Sequence, residues 1–390
     1  MTDLFTEIGY SSINKHDEPL CGDFYTVTRS AQGTTIVLSD GLGSGVKANI
    51  LATLTAKILS TLTARGLPIE ECVYTMATTL PVCSVRRLAY STFTILKLGE
   101  SEAYLAQFDN PSAVILRQGK CLPYPSTRLT VGDKEIYESR VPLEEGDMIV
   151  LMTDGVTSAG LGKRLPGGWG ADDVSAFLER WYAPDLSAQG MAAALTRAAY
   201  TLSQECCDDD TTAIAVKLRR RQAVNVMLGP PRDRADDEKI LRLFFSLKGR
   251  HVVCGGTTAH AVSKFLDKPI RVLDETGSED TPPAASIQGV DLVTEGVITL
   301  GRVTELAEAY LKDTSLSLEI RDRNDAAALL AKMLFEEATD ITVFFGQAVN
   351  SAHADVCAGA DIDFSAKRAL LRHLEEALVR MGKRVKISMC

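Results

Sequence analysis

Four short acidic stations, spread over the first 220 residues, constrain this chain more than any other feature. They are Gly22-Asp23-Phe24-Tyr25, Leu38-Ser39-Asp40-Gly41-Leu42-Gly43-Ser44-Gly45, Met152-Thr153-Asp154-Gly155-Val156 and Asp208-Asp209-Asp210-Thr211-Thr212. Three of the four sit at an end of an apolar, β-branched run, where a strand delivers a carboxylate to the rim of a sheet. A lone Asp-Gly usually marks a turn. Here the pair recurs after a second apolar strand, and carboxylates converging from separate strands repel one another unless cations lie between them. The pattern therefore predicts a divalent-metal site, and hydrolysis of a phosphate ester as its chemistry.

The chain has 390 residues, which suggests two domains, and 45% hydrophobic with 24% charged residues supplies ample core. A formal net charge of -9 argues against nucleic acid as the main partner and suits metal ions or a basic protein surface. Nine cysteines without a Cys-x-x-Cys pair argue against a zinc knuckle and for reduced thiols. No apolar run approaches a membrane span, and the start, Met1-Thr2-Asp3-Leu4-Phe5, is not a secretion signal. The expected location is cytoplasmic.

Residues 34–39 read as a buried strand ending at Asp40, followed by a helix over 46–64 in which Ile50, Leu51, Leu54, Ile58, Leu59 and Leu62 recur at helical spacing. A second helix fits 69–80. Strands then fit 90–98, 102–108, 112–117, 134–141 and 147–152, helices 172–181 and 188–205, and a last strand 212–218. Short strands at regular spacing, flanked by helices, predict stacked antiparallel sheets between helical layers. Arg219-Arg220-Arg221 and Gly229-Pro230-Pro231 suggest a linker over 221–235. Residues 236–390 alternate helix and strand, the signature of a smaller α/β domain with a mostly parallel sheet and a sensing or docking role.

The stretch from about Cys21 to Leu218 resembles the metal-dependent protein phosphatases of type 2C, and within them the bacterial branch typified by stage II sporulation protein E. The residues that carry the resemblance are Cys21-Gly22-Asp23-Phe24-Tyr25, the 38–45 segment, the long apolar strand entering Asp154-Gly155, and Asp209-Asp210-Thr211-Thr212. It implies an α+β fold, an α-β-β-α sandwich over 1–220. It also implies two Mn²⁺ or Mg²⁺ ions, Asp40 bridging both, the Gly41 carbonyl on one, and Asp154 with Asp209 on the other. Asp23 matches a nearby carboxylate, and a one-residue slip would exchange Asp209 for Asp210. The implied reaction is hydrolysis of phosphoserine or phosphothreonine in a phosphorylated protein by a metal-activated water, with Asp40, Asp154 and Asp209 catalytic. One departure stands out: eukaryotic members have histidine after the central Asp-Gly, where this chain has Leu42. Lys15 and His16 are candidates for a place near the site, and solvated loop residues are the plainer reading of both. The alternative function is a non-catalytic metal-binding module on the same fold.

In the second half the sharpest motif is the strand entering Gly255-Gly256-Thr257-Thr258. It is a candidate site for a small anionic ligand at a helix N-terminus. Its plainer reading is a tight turn with Thr257 or Thr258 as N-cap.

Overall fold

The computed structural model describes residues 4–30, 33–80, 91–132, 134–231, 233–313, 316–347 and 357–390. They form two compact units, Met1–Arg220 and Arg221–Cys390.

In the first unit the elements run β1 (Leu4–Ile13), β2 (Asp23–Ser30), β3 (Gly33–Gly41), α1 (Gly45–Ala64), α2 (Ile69–Thr79), β4 (Ser91–Leu98), β5 (Glu102–Phe108), β6 (Val114–Arg117), β7 (Lys120–Cys121) and β8 (Thr127–Val131). They continue with β9 (Lys134–Pro142), β10 (Met148–Met152), α3 (Asp154–Thr157), α4 (Ala171–Trp181), α5 (Ala188–Leu202) and β11 (Thr211–Arg220). Two antiparallel sheets result, in the orders β1-β11-β10-β6-β7 and β2-β3-β4-β5-β9-β8. Their inner faces meet through Ile36, Leu38, Leu96 and Leu105 from one sheet and Ile149, Leu151, Ile214 and Val216 from the other. The alternate residues of β10, Met148, Val150 and Met152, pack under α4 and α5. The outer face of the six-stranded sheet lies under α1 and α2. Both faces of the central strands are thus covered, which is why β10 reads as an unbroken apolar run. The unit is an α-β-β-α sandwich of the type 2C phosphatase kind.

Two local expectations need correction. Strands β1 and β2 escape the pattern because polar residues interrupt them, as in Asp23-Phe24-Tyr25-Thr26-Val27-Thr28. Helix α1 turns a different face inward: Ala48, Ala52, Thr55, Ala56 and Leu59 are buried, while Ile50 and Leu54 are exposed. Small residues win that face because the α1 backbone lies close against the end of β3, a contact that larger side chains would prevent.

The second unit comprises β12 (Ala223–Leu228), α6 (Asp237–Ser246), β13 (Arg250–Cys254), α7 (Gly256–Leu266), β14 (Arg271–Leu273), β15 (Ala284–Ile287) and β16 (Val290–Thr294). It ends with α8 (Val297–Lys312), α9 (Leu316–Asp322), α10 (Ala326–Ala331), β17 (Asp340–Phe345), α11 (Cys357–Arg380) and β18 (Arg384–Met389). Its sheet order is β14-β15-β16-β13-β12-β17-β18. Pairing is parallel from β16 to β18 and antiparallel through β14, β15 and β16. Helices α6 and α7 cover one face, and α8, α10 and α11 the other. The expected linker 221–235 is corrected here, since it contains β12, paired on both sides at the middle of the sheet. Arginines before it and Gly229-Pro230 after it disguised a short buried strand. Residues 284–294 form β15 and β16, and α8 starts at Val297 directly after them.

Among the described residues no helix is long and apolar enough to cross a membrane. Seven cysteines are free thiols, and Cys83 and the side chain of Cys357 lie outside the described residues.

Candidate active site

Strand pairing brings the four stations together. Asp23 and Asp40 stand directly opposite each other across β2 and β3. Asp154 opens α3 at the end of β10, and Asp209 and Asp210 immediately precede β11, the neighbour of β10. The sandwich therefore collects carboxylates from both sheets at one end.

Their electrostatics record the crowding. The carboxyl of Asp40 is pushed up to about 7 by burial and then by the charges of Asp154, Asp209 and Asp210. Asp23 is raised well above the ordinary carboxylate range by burial and by Asp40, against the opposing hydrogen bonds of Thr212 and Thr153. Burial raises Asp154, and burial together with Asp154 raises Asp209. The field of Lys15 lowers Asp209 in part, which brings that loop lysine to the site. His16, by contrast, is an exposed loop residue 3.5 Å from Asp17.

The two neighbouring acids differ sharply. Asp210 is buried, and its oxygens accept from the amides of Lys15 (3.0 Å) and Gly22 (2.8 Å). It pins the β1–β2 loop to the start of β11. Asp209 Oδ1 accepts from the amide of its own neighbour Asp210, at 3.0 Å, and ties down no loop. That division favours Asp209 over Asp210 as a ligand.

Both Asp-Gly pairs have a packing cause. A Cβ on Gly41 would stand 2.0 Å from the carbonyl oxygen of Ala48 in α1, and one on Gly155 would stand 2.1 Å from that of Asp210. Glycine is required at each place so that backbone can close on backbone.

Sequence reasoning passed over the residues that hold these acids. Thr153 Oγ1 donates to Asp23 Oδ2 at 2.8 Å and accepts from the Thr212 amide at 3.0 Å, so one buried hydroxyl ties β2, β10 and β11. Glu18 accepts from Ser44 Oγ at 2.8 Å and braces the glycine loop after Asp40. The available signal for Thr153 and Thr212 was position alone, each being adjacent to an acidic station.

The donor chemistry fits a hard cation. Every candidate ligand offers oxygen, and Asp23 Oδ1 is buried without a hydrogen-bond partner. Among the described residues, no three His, Cys, Asp or Glu side chains close around one point. The arrangement is an acidic pocket at Coulombic range. Gly255, Gly256, Thr257 and Thr258 belong to the second unit, where helix α7 begins at Gly256 with Gly255 as its N-cap. Neither threonine is the cap, contrary to the plainer reading.

A sandwich of two antiparallel sheets between helical layers, with carboxylates gathered at the strand ends, defines the first unit as a type 2C phosphatase-like domain. Residues 30–219, within the first unit, match the Stage II sporulation protein E (SpoIIE) family model. The match spans just under half of the 390 residues and stops before the second unit.

Among solved structures, the phosphatase domain with a regulatory fragment of SpoIIE from Bacillus subtilis is 19% identical. The alignment covers 56% of this chain and 64% of that one, less than two thirds, with a TM-score of 0.48. The RsbU and RsbW domains of a Mycobacterium tuberculosis protein are 16% identical over 62% of this chain and 70% of that one (TM-score 0.46). RsbX in complex with magnesium is 18% identical over 55% and 95%, with a TM-score of 0.40. No curated protein matches the sequence.

Proposed function

We propose that the first unit is a metal-dependent serine/threonine protein phosphatase acting in bacterial signalling. One observation carries the reading: acids distant in sequence act on one another's protons, the charges of Asp154 and Asp209 raising Asp40, that of Asp154 raising Asp209, and that of Asp40 raising Asp23. Such mutual repulsion is relieved by cations, and the all-oxygen donor set favours Mg²⁺ or Mn²⁺ over zinc. Asp40 would hold two ions, with the Gly41 carbonyl, Asp154, Asp209 and Asp23 completing their protein ligands. Bound there, the ions supply Lewis acidity towards water and phosphoryl oxygen.

The remaining roles fall to the chain itself. Thr153 positions Asp23, Asp210 holds the loop that carries Lys15, and Lys15 offers a cation to the phosphoryl group of a phosphorylated protein. The second unit takes a sensing or docking role.

The test is phosphate release from a phosphoserine or phosphothreonine protein in Mn²⁺ or Mg²⁺. Wild type should release phosphate, and Asp40→Asn, checked for folding by circular dichroism, should not. A wild type that binds Mn²⁺ yet releases nothing would make the unit a non-catalytic metal-binding module.

A further inference from the structure

In the second unit, β13 and β16 are parallel neighbours; β13 runs through Gly255 into α7, and β16 through Glu295-Gly296 into α8. The glycines are Gly255 before α7 and Gly296 before α8; a Cβ on Gly296 would stand 3.3 Å from the Cα of Gly255. Each helix has threonine at its third position, Thr258 in α7 and Thr299 in α8. Both are buried, and neither hydroxyl has a hydrogen-bond partner.

The two helix ends then diverge. Helix α8 is closed by its own acid, since Glu295 Oε2 accepts from the amides of Ile298 (2.8 Å) and Thr299 (3.4 Å). Helix α7 has no side-chain cap, because its N-cap is Gly255 at φ 112°. The space that a Cβ on Gly255 would occupy is bordered by a single group, Thr258 Oγ1 at 3.4 Å. A Cβ on Gly256 would meet nothing within 4 Å. A small open cradle therefore lies over the first turn of an eleven-residue helix, with a buried, unsatisfied hydroxyl at its wall.

We propose that Gly255, Gly256, Thr257 and Thr258 bind the phosphoryl group of a small phosphate ester. Every group the cradle offers is a donor: the first amides of α7, which lack intrahelical acceptors, the exposed Thr257 hydroxyl and the buried Thr258 hydroxyl. A phosphoryl group supplies three acceptor oxygens and the negative charge that a helix N-terminus favours. The neighbouring carboxylate does not fill the cradle, since it is engaged by α8. The assignment is independent of the chemistry read for the first unit.

The experiment is calorimetric titration of the full chain with inorganic phosphate in EDTA. Without a cation the acidic pocket of the first unit repels phosphate, so the signal reports the second unit. Wild type should bind phosphate saturably at one site. Gly256→Asp places a carboxylate in the cradle without a clash, and an acid in a first helical turn is stabilising. It should leave the melting temperature unchanged or higher and weaken phosphate about tenfold or more, the worth of one charge-assisted contact. Thr258→Val should fold at least as stably, having lost an unsatisfied buried hydroxyl, and bind phosphate several-fold more weakly. Absence of saturable binding in wild type, or equal affinity in wild type and Gly256→Asp, overturns the proposal.

Discussion

Asp40→Asn should stabilise the metal-free protein while removing its response to cations. The carboxyl of Asp40 moves from 3.8 to about 7 in the folded chain, chiefly through burial and then through three neighbouring acids. At about 1.4 kcal/mol per pH unit this corresponds to at most about 4 kcal/mol against the charged form. Asp40 is only partly buried and its charge is shared with coupled neighbours, so screening reduces the expected effect to about 1–3 kcal/mol. The sign follows from proton binding. The native state holds this proton more tightly than the unfolded chain, so the contribution is fully present below pH 3.8 and is lost as pH rises through about 7.

In EDTA, wild type should therefore weaken as pH rises from 3.8 to about 7, and Asp40→Asn should escape that part of the loss. For a unit of this size the gain at pH 8 is a rise in melting temperature on the order of 2–10 °C, falling to roughly half of that or less at pH 5 and towards zero only below pH 3.8. Scanning calorimetry of the full chain reads it, and the transition belonging to the first unit is the one that Mn²⁺ shifts in wild type. If Asp40→Asn melts at or below wild type at pH 8, or gains equally at pH 5, the electrostatic reading of the pocket is wrong.

Three further outcomes follow from the same geometry. Asp209→Asn should keep or raise its melting temperature in EDTA and lose Mn²⁺ binding by calorimetry, whereas Asp210→Asn should lose about 1–3 kcal/mol of stability by denaturant melts, because both its oxygens serve loop amides. Gly41→Ala and Gly155→Ala should each cost about 1–3 kcal/mol or more in the same melts, since the new methyl would stand 2.0 or 2.1 Å from a carbonyl oxygen. Apparent Mn²⁺ affinity should fall as pH drops below about 7, where Asp40 must first release a proton, and a flat affinity between pH 6 and 8 would contradict its raised pKa.

What the sequence made legible, and what it hid, divides along physical lines. Asp40 and Asp154 were readable because each ends an apolar run long enough to be a buried strand, and Asp-Gly marks where that strand must turn. The strand carrying Asp23 was not, because its polar alternation suits a strand covered on one side and also suits a loop. Strand β12 was hidden by its own flanks, although its apolar residues sit at the middle of the second sheet. The role of Asp210 was beyond reach: it depends on the amides of Lys15 and Gly22, nearly two hundred residues away, which no local pattern encodes. The inward face of α1 failed for a related reason. Helical spacing identifies which residues share a face, and the contact distance of the partner decides whether large or small ones occupy it.

The glycines join these two levels. In each Asp-Gly pair the aspartate is the chemical group and the glycine lets another backbone pass close behind it: α1 at Gly41 and the Asp210 turn at Gly155. Those backbones carry or hold the other parts of the pocket, the loop braced by Glu18 and the Asp209-Asp210 pair. The dipeptide is thus a packing device as much as a ligand device. Close approach brings the acids near enough to repel, and the hydroxyl of Thr153 together with two loop amides compensates only part of that repulsion. The uncompensated remainder is what a cation would relieve, so the strain of the metal-free pocket and its proposed affinity for metal have a single origin.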